Sequence, residues 1–177
     1  MRNTRLAQRY AKALFDLAQE QQTLEPTKTD MEYLLELSKV KDFKNMLLSP
    51  VVSTSKKLAV SNEVLKNKVG ELSIAFVSLI IRKKRAASLP EIAKQFVAMY
   101  NDYKHILNVE IQTASPLDNT LREKLIEKIK EQTHSSQILL DEKINEDVIG
   151  GFALRYKDKL YDATIRRQLN ELRKELV

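Results

Sequence analysis

Residues 96–113, FVAMYNDYKHILNVEIQT, contain the point at which the chain changes its periodicity. Upstream, Leu89, Ile92, Ala93, Phe96, Tyr100 and Tyr103 recur at steps of three and four, which predicts a helix from about Ser88 to His105. Downstream, Leu107, Val109, Ile111 and Thr113 alternate with Asn108, Glu110 and Gln112, the period of a half-buried strand. The change at His105–Leu107 divides the 177 residues into a helical part, 1–105, and a mixed part, 106–177. The fold class is therefore α+β overall, an N-terminal all-α six-helix bundle followed by a small α+β domain.

Working back from the switch, the segment from Glu71 to Lys84 is apolar on nearly all sides, with Leu72, Ile74, Ala75, Phe76, Val77, Leu79, Ile80 and Ile81. Such a helix is buried within a bundle or buried in part by another protein. Arg82-Lys83-Lys84-Arg85 follows at its C-terminal end, where cations suit the helix dipole. Ser53 is placed to cap a preceding helix bearing Leu58, Val64 and Leu65, and Ser49-Pro50 stops a short segment with Phe43, Met46 and Leu47. Pro26 suits the first turn of a helix with Met31, Leu34 and Leu35. Residues 4–21 form the clearest helix. Its apolar set, from Leu6 and Ala7 through Tyr10, Ala11, Ala13, Leu14, Phe15, Leu17 and Ala18, spans an arc of roughly 200°. One edge is large (Leu6, Leu14, Leu17) and the other is rich in Ala and closes with Phe15. Two readings fit this arc: a central helix covered on both sides, or one edge in the core and one edge left for a partner helix.

Beyond the first strand, Ser115-Pro116 breaks the chain and Asp118 or Asn119 opens a helix with Leu121, Leu125, Ile126 and Ile129. A second strand fits Gln137–Ile144 with Ile138, Leu140 and Ile144 on one face, and a third fits Gly151–Tyr156. Lys157-Asp158-Lys159 reads as a turn into a short strand at Leu160-Tyr161, and a last helix carries Ile165, Leu169, Leu172 and Leu176. The sheet is expected to be built mostly from the later strands.

Composition narrows the chemistry. Cys is absent, which excludes disulfide scaffolds, thiolate metal sites and cysteine nucleophiles. The two histidines, His105 and His134, have no ligand at metal spacing and read as surface or helix-end residues. Asp141, Glu142, Glu146 and Asp147 lack calcium-loop spacing and read as a solvated connection, and Asp158 and Asp162 as turn or cap residues. No phosphate-binding glycine loop is present, and no cofactor or metal is called for. The pair Gly150-Gly151 is read as structural, permitting positive φ or close backbone packing. The net charge of +6 resides in the first 105 residues, where 18 Lys and Arg face 11 acids, whereas 12 face 13 over 106–177. No apolar stretch is long enough to span a bilayer. The Arg-rich opening carries Asp16 and Glu20 on its polar face and reads as a first helix instead of an organelle transit peptide.

Three stretches together resemble the delta subunit of F-type ATP synthases, the oligomycin-sensitivity-conferring protein family. They are Arg9-Tyr10-Ala11-Lys12-Ala13-Leu14-Phe15 with Ala18; Leu79–Arg85 with Leu89, Ile92 and Phe96; and Asp147-Val148-Ile149-Gly150-Gly151-Phe152 with Asp158, Asp162-Ala163-Thr164-Ile165 and Gln168-Leu169. Ala163-Thr164 departs from the small-residue-then-Ser pattern of the family but keeps the hydroxyl. The resemblance implies a non-catalytic stator subunit, outside nucleic-acid binding, and joined to the cytoplasmic face of the bacterial plasma membrane only through the ATP synthase. Residues 1–105 would grip the N-terminal helix of an alpha subunit on the catalytic head, and residues 106–177 would meet the b subunits of the peripheral stalk. The implied alpha-subunit groove lies between the first and fifth helices, with Ala7, Tyr10, Ala11, Leu14, Phe15 and Ala18 on one side and Phe76, Leu79 and Ile80 on the other. The rival reading is a basic helical RNA-binding factor of the transcription-antitermination type, for which Arg82–Arg85 is the candidate contact. An enzyme is disfavoured because no nucleophile, base and anion site converge in the sequence.

Overall fold

The computed structural model describes residues 2–133, 135–145, 148–156 and 159–175. His134, Glu146, Asp147, Lys157, Asp158 and Leu176, named above, lie outside the described residues. The chain divides into two compact units between Tyr100 and Asn101.

The first unit contains α1 (Arg2–Glu20), α2 (Leu24–Lys39), α3 (Lys41–Leu48), α4 (Thr54–Leu65), α5 (Glu71–Arg82), a 3-10 turn at Ala86–Ser88 and most of α6 (Leu89–Tyr103). Ser53 caps α4 by accepting the Lys56 N–H at 3.3 Å. With so few glycines, the helix ends are made another way. Gln22, Asn67, Lys84 and His105 all have φ between 54° and 61° and lie two residues beyond α1, α4, α5 and α6. After α1 the Thr23 N–H reaches the Ala18 carbonyl at 2.8 Å, and after α5 the Arg85 N–H reaches the Ile80 carbonyl at 3.0 Å. These are Schellman closures with a side chain where glycine is usual. In the core, Ala7, Ala11 and Ala18 of α1 are wholly buried with Val77, Ile80, Ile92 and Phe96, and the small alanine side chains allow neighbouring backbones to come close. At the start of α2 and the end of α6, the Glu25 carboxylate accepts a short hydrogen bond from the Tyr100 hydroxyl. Burial first, then that bond, pushes the phenol up to about 12.

The second unit contains β1 (Ile106–Thr113), α7 (Asn119–Thr133), β2 (Gln137–Ile144), β3 (Gly151–Tyr156), β4 (Lys159–Thr164) and α8 (Ile165–Glu175). The sheet order is β2-β1-β3-β4. β1 and β2 are parallel and joined through α7, whereas β3 runs antiparallel to both β1 and β4. The later strands supply three of the four strands, as expected, but the first strand is paired on both edges and is internal to the sheet. Register sets Val109 opposite Leu140 and Tyr156, and Ile111 opposite Leu154. These residues share one face with Leu107 and Ile138 and pack against Ile129, Leu125 and Ile126 of α7. Ile144 does not join them: it ends β2 opposite Thr113 and is exposed, beyond the reach of the core. Leu121, one turn into α7, is also exposed. β4 runs four residues longer than the two expected, to Thr164. The start of β1 is fastened to the approach of β2: the Ser136 N–H donates to the His105 carbonyl at 3.0 Å and its hydroxyl donates to the Lys104 carbonyl at 2.5 Å.

Candidate partner-binding site

An apolar groove of about 460 Å³ runs between α1 and α5. Tyr10, Ala13, Leu14 and Leu17 form one wall, and Leu72, Ala75, Phe76 and Leu79 form the other. Both sets follow the spacing i, i+3, i+4, i+7, so each is a single stripe along its helix. Leu17 is 40% exposed and Leu79 is 45% exposed, whereas Leu14 and Phe76 form the buried floor. The Arg9 guanidinium lies 5.5 Å from the Tyr10 ring centroid, at the edge of the apolar stripe. No charged side chain lines the groove among the described residues. The groove is therefore apolar along both walls and uncovered at its rim.

The nine residues anticipated for this groove separate into two groups. Tyr10, Leu14, Phe76 and Leu79 line it. Ala7, Ala11, Phe15, Ala18 and Ile80 do not: all are buried in the interior of the helical unit. Phe15 packs against Phe96 of α6, with ring centroids 5.8 Å apart. The Ala-rich edge of α1, closing with Phe15, is thus the core edge, and the groove edge is the one bearing Leu14 and Leu17. Ala13, Leu17, Leu72 and Ala75 were missed. The repeated 0-3-4-7 spacing at residues 10–17 and 72–79 is the sequence signal that marks them.

A second uncovered apolar surface lies in the other unit. Ile165, Leu169 and Leu172 of α8 fall at steps of four and three and are 42%, 52% and 55% exposed. A depression of about 210 Å³ of mixed lining also lies between α7 and the sheet, with Leu125, Ile129, Phe152 and Tyr161 beside Lys128 and Gln132 among its walls.

The glycine pair positions the start of α8. Gly151 has φ +73°, and a Cβ there would lie 2.3 Å from the Ala163 carbonyl oxygen, so β3 and β4 approach too closely for a side chain. A Cβ on Gly150 would meet Ile165 Cδ1 at 2.7 Å. The Ile165 N–H donates to the Gly150 carbonyl at 3.0 Å, joining the strand end to the helix start. Thr164 caps α8 by accepting the Arg167 N–H at 3.2 Å. Asp162 accepts the Thr164 N–H at 3.0 Å, and hydrogen bonds from Thr164 hold its carboxyl below the ordinary 3.8. The hydroxyl of the Ala163-Thr164 step is thus a helix cap.

Arg82–Arg85 occupies the exposed end of α5, where Lys84 supplies the left-handed turn. On β2, Glu142 accepts the Leu117 N–H at 2.7 Å and pairs with Arg122, tying the loop before α7 to the sheet.

The ATP synthase delta (OSCP) subunit family matches residues 6–176. The chain is similar to the ATP synthase subunit delta of Christiangramia forsetii, with 36% identity over 180 residues covering 99% of this chain and 95% of the relative. It is also similar to that of Pelodictyon phaeoclathratiforme, with 34% identity covering 97% and 96%. In fold it matches a chain in the cryo-EM structure of the Toxoplasma gondii mitochondrial ATP synthase hexamer, with a TM-score of 0.78, 24% identity and 97% of each chain covered.

Proposed function

The chain belongs to the ATP synthase delta (OSCP) subunit family, and from that membership we propose that it holds the catalytic head through the α1–α5 groove. As a member it is a stator component, not a catalytic subunit. In this reading residues 1–105 act as a six-helix bundle that seats the amphipathic N-terminal helix of an alpha subunit. Residues 106–177 meet the b subunits of the peripheral stalk, and the exposed stripe Ile165-Leu169-Leu172 is the surface offered to them.

The observation that carries the reading is the groove itself. Its two 0-3-4-7 stripes present an uncharged channel of about 460 Å³, and its rim leucines are nearly half exposed. An amphipathic helix laid into it would remove Leu17 and Leu79 from water, worth about 25 cal/mol per Å² of apolar surface. The mechanical task fits this chemistry. A rotor turning inside the head applies torque to it, and the stator must hold the head against the membrane sector so that proton transport remains coupled to ATP synthesis. That task requires slowly dissociating contacts at several places, not a reactive group. Attachment to the cytoplasmic face of a bacterial plasma membrane would be indirect, through the complex. No helix among the described residues is long and apolar enough to cross a membrane. The RNA-binding reading is not supported by the family to which the chain belongs.

Calorimetric titration of the full chain with a synthetic alpha-subunit N-terminal helix tests the proposal. One-to-one saturable binding with a negative heat-capacity change is expected. Folded protein that shows no heat of binding would overturn it.

A further inference from the structure

We propose that Asp30 is a positioning residue for the α1–α5 groove: from α2 it supplies the N-terminal cap that α5 lacks, and so sets the rotation of the wall formed by Leu72, Phe76 and Leu79. The inference rests on the groove reading above.

Asp30 is only 8% exposed. A carboxylate is rarely buried unless its oxygens are satisfied. A single oxygen, Oδ2, accepts both the Gly70 N–H at 2.9 Å and the Ser73 hydroxyl at 2.5 Å. Gly70 is the N-cap residue of α5 and has no side chain with which to cap it. Ser73 lies in the first turn and is wholly buried. Asp30 therefore satisfies, from 40 residues away, the free N–H at the N-terminal end of α5, as the acid at the third helical position of a capping box does locally, and its charge is favourable at the positive end of the helix dipole. Gly70 also fits the approach, because a Cβ there would lie 3.3 Å from Asp30 Oδ2.

The consequence for the groove is geometric. Leu72, the first residue of the α5 wall, lies between the two residues that Asp30 holds. Successive helical residues turn by about 100°, so the azimuth of the first turn dictates where Leu72, Phe76 and Leu79 point. Holding Gly70 and Ser73 together fixes that azimuth against α2. A merely stabilising contact would affect the whole unit alike. This one affects α5 and the groove first.

The test compares the full-length wild type, Asp30→Ala, Asp30→Asn and Ser73→Ala by amide hydrogen exchange and by titration with the synthetic alpha-subunit N-terminal helix. In Asp30→Ala, exchange at Gly70 and Ile74 is expected to rise about tenfold, and peptide affinity to fall about tenfold, as for the loss of a charge-assisted hydrogen bond. Exchange at Ile92–Phe96 in α6 should stay at the wild-type rate. Asp30→Asn keeps an acceptor oxygen without the charge and should bring both readouts to values between those of the wild type and Asp30→Ala. Wild-type exchange at Gly70 and wild-type affinity in Asp30→Ala would overturn the inference, as would failure of Asp30→Asn to rescue. If Asp30→Ala unfolds globally, Ser73→Ala, which removes one donor and leaves the Gly70 bond, decides by peptide affinity: a loss of about threefold or more supports the inference, and wild-type affinity overturns it. If the wild type itself does not bind the peptide, the groove reading falls, and exchange at Gly70 and Ile74 alone decides whether Asp30 orients α5.

Discussion

Phe15 of α1 and Phe96 of α6 pack with ring centroids 5.8 Å apart and planes inclined at 55°, both buried in the helical unit. Phe15 is 7% exposed, so it faces the core and not the groove. Phe15→Ala is expected to destabilise the unit by about 3–5 kcal/mol, and Phe15→Asp to unfold it by adding an unpaired buried charge. Urea unfolding followed by circular dichroism measures this. A folded Phe15→Asp protein of wild-type midpoint would contradict the core assignment.

Leu79 gives the opposite behaviour. It is 45% exposed on the groove rim, and Leu79→Asp is expected to cost about 1 kcal/mol, from partial loss of apolar packing and an acid in the last turn of α5, well below the loss at Phe15. The same change places a charge against an incoming apolar helix, and affinity for the alpha-subunit peptide should fall at least about tenfold. Unaltered affinity in a calorimetric titration would move the docking site elsewhere.

Gly151 and Gly150 should differ in their tolerance of a methyl group. Gly151→Ala combines φ +73° with a backbone oxygen 2.3 Å from the new Cβ, so strands β3 and β4 must separate. A loss of about 2–4 kcal/mol is expected in thermal unfolding, combining left-handed strain with overpacking. Gly150→Ala meets only the far end of the Ile165 side chain, which can rotate away, and should cost about 1 kcal/mol. Equal losses for the two variants would argue against this account.

The left-handed helix ends predict a gain. Gln22 is exposed with φ 56° two residues beyond α1. Gln22→Gly removes the Cβ strain and should raise stability by about 0.5–1 kcal/mol, seen as a higher melting temperature. A lower melting temperature would show that the entropy of the added glycine in the unfolded chain outweighs the strain.

Acid should loosen the second unit through Glu142. The Leu117 N–H and then Arg122 hold its carboxyl below the ordinary 4.5. A carboxyl depressed in the folded state stabilises above its unfolded pKa, and that stabilisation is lost as pH falls through the folded value. Stability should therefore decline below about pH 4.5, and Glu142→Gln should flatten that part of the profile. An unchanged acid limb in the variant, read from melts between pH 3 and 6 (roughly the carboxylate range), would remove Glu142 from the account.

Much of this protein is written locally. The alternation of Leu107, Val109 and Ile111 is a two-residue period that only a strand satisfies with one buried face, and it appears as β1. The steps of three and four in α1, α5 and α6 are equally local, because side-chain direction along a helix follows from backbone geometry alone. The demand for glycine at Gly151 is visible as a pair of rare residues beside a strand, although its cause, the Ala163 carbonyl, comes from β4.

Tertiary structure decided what periodicity leaves open. The α1 arc was wide enough for two partners, and a helical wheel carries no information about which edge the rest of the chain covers. Packing against Phe96 assigned the alanine edge and Phe15 to the core and left Leu14 and Leu17 to the groove. Ile144 obeys the same alternation as buried Ile138 but lies where the core does not reach, and the helical stripe Ile165, Leu169 and Leu172 is exposed along its whole length. The bond from Asp30 to Gly70 joins residues 40 apart, and no local rule relates them. Side-chain spacing determines which residues share a face; burial depends on which faces meet, and that is a property of the whole packed chain.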